Sequence, residues 1–175
     1  MTTPTVSGCW TIPTADDMHA LGVCLGQILR PGDVVLMDGD LGAGKTTLAQ
    51  GIAAGLGVTQ PVTSPTFVIA REHPPAGTSP GLVHVDAYRL SGPDEIDDLD
   101  LAPVMVTSVT VVEWASGVAE HLHGHPLRLT LHARDDDVRE VAWHAAGPRW
   151  VGDLSRVAGC GEPPSTPRTG RGRRA

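Results

Sequence analysis

The chain has 175 residues, of which 41 % are hydrophobic and 19 % charged, and its formal net charge is −7. These values are ordinary for a soluble protein with one globular domain. No apolar run approaches the ~18 residues that a membrane helix needs, and the N-terminus lacks the basic start of a signal peptide. The sequence therefore predicts a cytoplasmic protein that does not contact a membrane.

The charge is unevenly distributed between a folded body and a basic tail. Residues 156–175 contain five Arg and one Glu, and they are poor in apolar side chains. We expect this segment to be a disordered tail, which follows a folded domain over residues 1–155. The body is strongly acidic and would repel a phosphate backbone. Any nucleic acid is therefore expected to meet this protein indirectly, through a partner.

The hydrophobic pattern predicts alternating helices and strands in the first part of the chain. Residues 7–12 are a candidate edge strand. Apolar residues at helical spacing after the N-cap Thr14 predict an amphipathic helix over 15–30. The apolar run 34–37 is typical of a strand buried on both faces of a parallel sheet. A glycine-rich loop then leads into a predicted helix over 45–56.

The second part of the chain continues this alternation. The predicted elements are an extended segment over 62–70, strands over 82–86 and 109–113, one or two solvated helical turns within 93–101, a hairpin of 127–133 and 138–144, and a helix from about 149 to 157. Pro65 excludes a helix in the first of these segments. The whole pattern predicts an α/β protein. Its central sheet is mostly parallel and flanked by helices, and it ends in an antiparallel hairpin.

The loop between the first apolar strand and its helix matches the phosphate-binding pattern G-x-x-x-x-G-K-[ST]. It contains the only lysine of the chain, Lys45, whose compact ammonium can reach β- and γ-phosphate oxygens. Glycines allow the backbone N–H groups to turn toward the phosphates, and Thr46 offers a hydroxyl to Mg²⁺. A strand, this loop and a helix in that order predict the P-loop NTPase fold. The predicted phosphate-binding residues are Gly39, Gly42, Ala43, Gly44, Lys45, Thr46 and Thr47.

Two further strands end in a carboxylate, Asp86 and Glu113. Because ligands of such sheets bind beyond the carboxyl ends of the strands, we expect both side chains near the P-loop, where they would hold Mg²⁺ and orient a water. The alternative is that each is a helix N-cap or a solvated strand end. Thr66 lies where switch-type NTPases place a hydroxyl that senses the γ-phosphate.

Four motifs together resemble the bacterial TsaE (YjeE) family. They are the run Gly39–Thr47, Ser64-Pro65-Thr66-Phe67, His84-x-Asp86-x-Tyr88-Arg89 and Glu113-Trp114. The resemblance spans roughly residues 12–145. It implies a small ATPase that assists the synthesis of threonylcarbamoyladenosine at position 37 of tRNAs that read ANN codons. In that system the TsaD protein, with TsaB, transfers the threonylcarbamoyl group.

The resemblance also implies a role for individual residues. By motif position, Thr46 and Glu113 bind Mg²⁺, Asp86 is an acid needed for hydrolysis, and Trp114 lies close to the ATP. Similar proteins have a threonine near the adenine where this chain has Met18, which is a departure from the family pattern.

The leading hypothesis is an Mg²⁺-dependent ATPase subunit that hydrolyses ATP slowly alone and depends on TsaB and TsaD. In it Lys45 holds the phosphates, Asp86 orients the attacking water and Thr66 reports the γ-phosphate to the partner surface. Two alternatives stay open, a small-molecule kinase on the same fold and a non-hydrolytic subunit whose docking is gated by nucleotide. A GTPase is disfavoured because its N-K-x-D motif needs Asn, which this chain lacks.

Overall fold

Seven strands form one mixed sheet in the computed structural model, which describes residues 4–63, 69–74, 77–135 and 137–157. The strands are β1 (Thr5–Ile12), β2 (Val34–Gly39), β3 (Ala70–His73), β4 (Gly81–Asp86), β5 (Ser108–Glu113), β6 (Leu127–Ala133) and β7 (Arg139–Ala146). Their spatial order is β1-β7-β6-β2-β5-β4-β3. The four central strands β6, β2, β5 and β4 are parallel. The outer pairs β1–β7, β7–β6 and β4–β3 are antiparallel.

Five helices and two short 3-10 turns complete the described part of the chain. The helices are α1 (Ala15–Ile28), α2 (Lys45–Gly55), α3 (Pro93–Asp97), α4 (Ala102–Met105) and α5 (Pro148–Val157), and the turns are Ala87–Arg89 and Glu120–Leu122. The predicted start of α1 is confirmed, because Thr14 and Asp17 form a capping box in which each side chain accepts from the backbone N–H of the other.

The central strands are buried on both faces, as the apolar run in β2 predicts. Val35 and Met37 of β2 pack on the face that α1 and α2 cover, whereas Val34 and Leu36 pack on the opposite face. Ile96 of α3 is among the residues that cover the second face. The sheet is therefore the middle layer of three, and its carboxyl edge stays open to a ligand.

Helices α1 and α2 approach each other at glycines. A Cβ on Gly51 would lie 2.2 Å from the carbonyl oxygen of His19 and 2.8 Å from the Cα of Gly22. Both neighbours are backbone atoms, so a side chain cannot rotate away to make room. The packing of α1 therefore fixes the position of α2, whose first residues belong to the predicted phosphate-binding loop.

The predicted α/β architecture and its C-terminal hairpin are confirmed, whereas two elements were not predicted. Strand β3 pairs antiparallel with β4, although Ala-Arg-Glu-His lacks an apolar strand pattern. Helix α4 is a single turn. Among the described residues, no helix is long and apolar enough to span a membrane. The predicted segment 62–70 lies partly outside the described residues, as does most of the predicted tail 156–175.

Candidate active site

The loop that joins β2 to α2 turns at glycines that have positive φ angles. Gly39 has φ of +136°, and a Cβ there would lie 2.1 Å from the carbonyl oxygen of Leu131. Gly44 has φ of +102° in the left-handed region, and it is the N-cap residue of α2. Both positions require glycine for a steric reason. The loop consequently brings its backbone to the N-terminus of a helix, where N–H groups without intrahelical partners favour anions.

Lys45 folds back over this loop. Its residue is 5 % exposed, and its Nζ donates to the carbonyl oxygens of Gly39 at 2.6 Å and Asp40 at 2.8 Å. The same Nζ lies 3.7 Å from the centroid of the Trp114 ring. Burial lowers the pKa of Lys45, although the carboxylates around it, Glu113 foremost, oppose this shift. The ammonium is thus held by two neutral carbonyl oxygens and an aromatic ring. An anionic ligand could replace these neutral partners.

Thr46 and Glu113 meet across the site, although they are 67 residues apart in sequence. The Thr46 hydroxyl donates to the Glu113 carboxylate, at 3.0 Å from Oε2 and 3.2 Å from Oε1. Glu113 is 2 % exposed, and its Oε1 also lies 2.8 Å from Nε2 of His84. A hydroxyl oxygen and a carboxylate are hard ligands of the type that Mg²⁺ prefers.

Asp86 ends β4 next to Glu113, its register partner on β5. Its Oδ1 accepts from the backbone N–H of Tyr88 at 3.1 Å, so it caps the 3-10 turn that follows. Both readings of this acid from the sequence are therefore compatible with the structure, because Asp86 caps a turn and also lines the cavity beside the loop.

Trp114 follows Glu113 with an unusual backbone conformation. Its φ is +59°, and its N–H donates to the carbonyl oxygen of Met37 at 2.8 Å. Its ring packs against Tyr88 with centroids 5.1 Å apart and planes inclined by 58°. The turn thus directs the indole ring back over Lys45, so that Trp114 forms one wall of the site.

These groups surround one cavity of about 480 Å³. Its lining residues are Leu41, Gly42, Gly44, Lys45, Thr46, Thr47, Asp86, Tyr88, Glu113 and Trp114. Of the other predicted site residues, Gly39 ends β2 where the loop begins, and Ala43 is buried in the apolar core. Thr66 lies outside the described residues. Binding of ATP and Mg²⁺ by these residues stays a prediction.

Three residues of the site were not among the predicted site residues. Leu41, which is 90 % exposed, and Tyr88, which is 69 % exposed, form an apolar rim around the cavity. His84 lies beneath it against Glu113. The sequence contained a signal for His84 and Tyr88, since both belong to the motif His84-x-Asp86-x-Tyr88-Arg89. Met18 is buried and lies beside Gly44, so it packs under the loop.

The residues present fit a metal ion that takes most of its ligands from water or from a bound phosphate and only a few from the protein. Within the described ranges, no group of three or more His, Cys, Asp and Glu side chains could hold a metal ion. Thr46 and Glu113 could therefore hold a cation only together with oxygens of water or of a bound phosphate. Mg²⁺ bound with nucleotide phosphates has this pattern of ligands.

Comparisons with known proteins agree with the motifs. Residues 12–141 match the family model described as threonylcarbamoyl adenosine biosynthesis protein TsaE. The TsaE protein of Streptomyces coelicolor is 52 % identical over 148 residues, which cover 81 % of this chain and 100 % of the relative. The TsaE protein of Bacillus subtilis is 39 % identical over 142 residues, which cover 81 % and 87 %.

A solved structure shows the same fold. The crystal structure of YdiB from Bacillus subtilis superposes with a TM-score of 0.70 and 30 % sequence identity, covering 89 % of this chain and 96 % of YdiB. The predicted P-loop fold is confirmed by this similarity and by the order of the strands. The resemblance drawn from the four motifs is confirmed as well, and this chain belongs to the TsaE family of threonylcarbamoyl adenosine biosynthesis proteins.

Proposed function

We propose that this chain is the cytoplasmic, Mg²⁺-dependent ATPase subunit of the machinery that makes threonylcarbamoyladenosine at position 37 of tRNAs reading ANN codons. It acts on a TsaB–TsaD transferase pair and meets tRNA only through that complex. One observation carries the proposal: Lys45, Thr46, Asp86 and Glu113, from three separate parts of the sequence, line a single cavity at the carboxyl edge of the parallel strands.

The loop and Lys45 would bind the phosphates. Among the described residues that line the cavity, Lys45 is the only cation, and its present acceptors are uncharged carbonyl oxygens. Because hydrogen bonds between ionised partners are about twice as strong as neutral ones, phosphate oxygens would compete well for this ammonium. The N-terminus of α2 adds a favourable field for the same anions.

Thr46 and Glu113 would hold Mg²⁺, which when bound neutralises phosphate charge and polarises the bond that is to break. Thr46 keeps lone pairs for the metal while its proton remains directed at Glu113. Asp86 lines the same cavity beside Glu113, and its carboxylate can orient a water by accepting its hydrogen bond. Thr66 is proposed to report the γ-phosphate to the partner.

No observation favours the small-molecule kinase. Within the described part of the chain, the residues that line the cavity include no arginine, whereas an arginine supplied from a lid can stabilise the charge on a transferred phosphoryl group. Arg134 on the hairpin is ion-paired with Glu140 at 3.2 Å. Hydrolysis, with water as the acceptor, is therefore the better reading of this site.

The proposal is tested by binding and turnover. Calorimetry should show that ATP with Mg²⁺ binds the wild-type chain and that Lys45→Ala weakens binding about 100-fold, since two charge-assisted contacts of ~1.5 kcal/mol are lost. The control is Arg156→Ala, which removes the same charge from an exposed position of α5 and should bind ATP normally.

Turnover distinguishes the remaining alternatives. Phosphate release should be slow for the isolated chain and rise when TsaB and TsaD are added, and Asp86→Asn should abolish it while ATP binding survives. Normal binding by Lys45→Ala would refute the assignment of the site. Full activity of Asp86→Asn in supporting tRNA modification would instead identify a nucleotide-gated subunit that does not need hydrolysis.

A further inference from the structure

A buried histidine lies behind the predicted metal ligand. His84 of β4 is 0 % exposed, and its Nε2 lies 2.8 Å from Oε1 of Glu113. A carboxylate can only accept hydrogen bonds, so Nε2 carries the hydrogen in this pair. Glu113 therefore accepts from two donors, the imidazole of His84 and the hydroxyl of Thr46.

Packing alone does not explain an imidazole at this position. Nδ1 of His84 is buried without a hydrogen-bond partner among the described residues, and leaving a buried polar atom unpaired costs about 1–3 kcal/mol. Leu82 on the same face of β4 belongs to the apolar core, so an apolar side chain would be tolerated there. The single bond from Nε2 to Glu113 is what distinguishes His84 from such a residue.

The neighbouring strand supplies a natural comparison. His73 of β3 is 3 % exposed and packs near His84, yet neither of its ring nitrogens has a hydrogen-bond partner among the described residues. The two histidines therefore share burial and chemistry and differ in the contact to Glu113.

We propose that His84 is a positioning residue, whose Nε2–H holds the Glu113 carboxylate beside Thr46 in the orientation that binds the divalent cation. This inference rests on the proposed function, because it assigns a role toward the Mg²⁺ of that same site. Partners behind a metal ligand fix its orientation, and their loss typically weakens metal binding 10- to 100-fold.

The test compares two amides that differ in reach. The nitrogen of glutamine at position 84 can occupy the place of Nε2, whereas that of asparagine is too short and occupies the place of Nδ1. The affinity for ATP is measured by calorimetry with saturating Mg²⁺ and again with EDTA, and the ratio of the two gives the contribution of the metal. His73→Asn is the matched control, with the same chemical change one strand away.

The expected result is specific to the metal. His84→Asn should lose 10- to 100-fold of the Mg²⁺-dependent gain in ATP affinity and keep the wild-type affinity in EDTA. His84→Gln and His73→Asn should keep the gain to within about threefold. If His84→Asn proves unfolded by circular dichroism, His84→Met, which fills the space without a donor, replaces it in the same comparison.

Several outcomes would overturn the inference. The first is an unchanged Mg²⁺-dependent gain in ATP affinity in His84→Asn or, if that variant is unfolded, in His84→Met. The second is an equal loss of this gain in His84→Gln and His84→Asn. The third is unfolding of both His84→Asn and His84→Met, which would assign His84 a role in stability. Wild-type protein that binds ATP without any gain from Mg²⁺ would also refute it. Failure of the wild-type chain to bind ATP at all would refute the proposed function instead.

Discussion

Replacing Gly51 by alanine should destabilise the protein at the point where α1 and α2 meet. The added Cβ would lie 2.2 Å from the carbonyl oxygen of His19, whereas ordinary contacts of a Cβ are 3.4–4 Å. This oxygen and the next nearest atom, the Cα of Gly22 at 2.8 Å, both belong to the backbone of α1. The strain can therefore be relieved only if the two helices separate by about 1 Å, which loosens the core beneath them.

The magnitude follows from two opposing terms. Overpacking a well-filled interior costs about 1–3 kcal/mol, and a clash between two backbones belongs at the upper end. Alanine is more favourable than glycine inside a helix by roughly 1 kcal/mol. We therefore expect a net loss of about 2 kcal/mol in the free energy of unfolding, and a Tm lower by about 4–8 °C for a domain of this size.

Thermal and urea unfolding, followed by circular dichroism, measure this loss. The matched control is Gly152→Ala in α5, where an added Cβ would meet no atom within 4 Å. The control should gain up to about 1 kcal/mol from helix propensity alone. A Gly51→Ala variant as stable as wild type would refute the reasoning, because it would mean that α2 can shift at no cost.

Two further predictions concern buried charge. Arg149 donates to the buried carboxylates of Asp33, at 2.7 Å from Nη2 to Oδ2, and Asp153, at 2.9 Å from Nε to Oδ2, so Arg149→Met should lower the free energy of unfolding, measured in urea, by about 2–4 kcal/mol. Burial is the largest cause that lowers the pKa of His73 from 6.5, and the charges of His84 and Arg71 lower it further. Protons therefore favour the unfolded state, and stability should fall as the pH drops below about 6.5. In urea titrations at pH 7.5 and 5.5, His73→Asn should lose less stability than wild type, and an equal loss would contradict the prediction.

Local structure was predictable because its causes lie within a few residues. The capping box of Thr14 and Asp17 is complete within four residues, and the run Val34–Met37 has the apolar character of a strand buried on both faces. Strand β3 could not be predicted in this way. Its four residues are polar or small, and only the edge of β4 gives their backbone groups partners.

The candidate site also has a part that the sequence predicted and a part that depends on the tertiary structure. Motifs identified Lys45, Thr46, Asp86 and Glu113 as candidates, and the rule that ligands bind at the carboxyl edge of parallel strands placed them together. Whether they touch depends on strand order, which periodicity does not specify. The contact of Thr46 with Glu113 exists because β5 lies directly beside β2 in the sheet.

The sequence by itself thus determined the types of chemical group, the phosphate-binding loop and the α/β class, since these follow from residue identity and short-range pattern. Only the tertiary structure decided that His84 supports Glu113 from an adjacent strand and that the ring of Trp114 covers Lys45. Those contacts require the lateral order and register of β2, β5 and β4. Packing of the whole sheet selects that order, because each central strand must bury both of its faces.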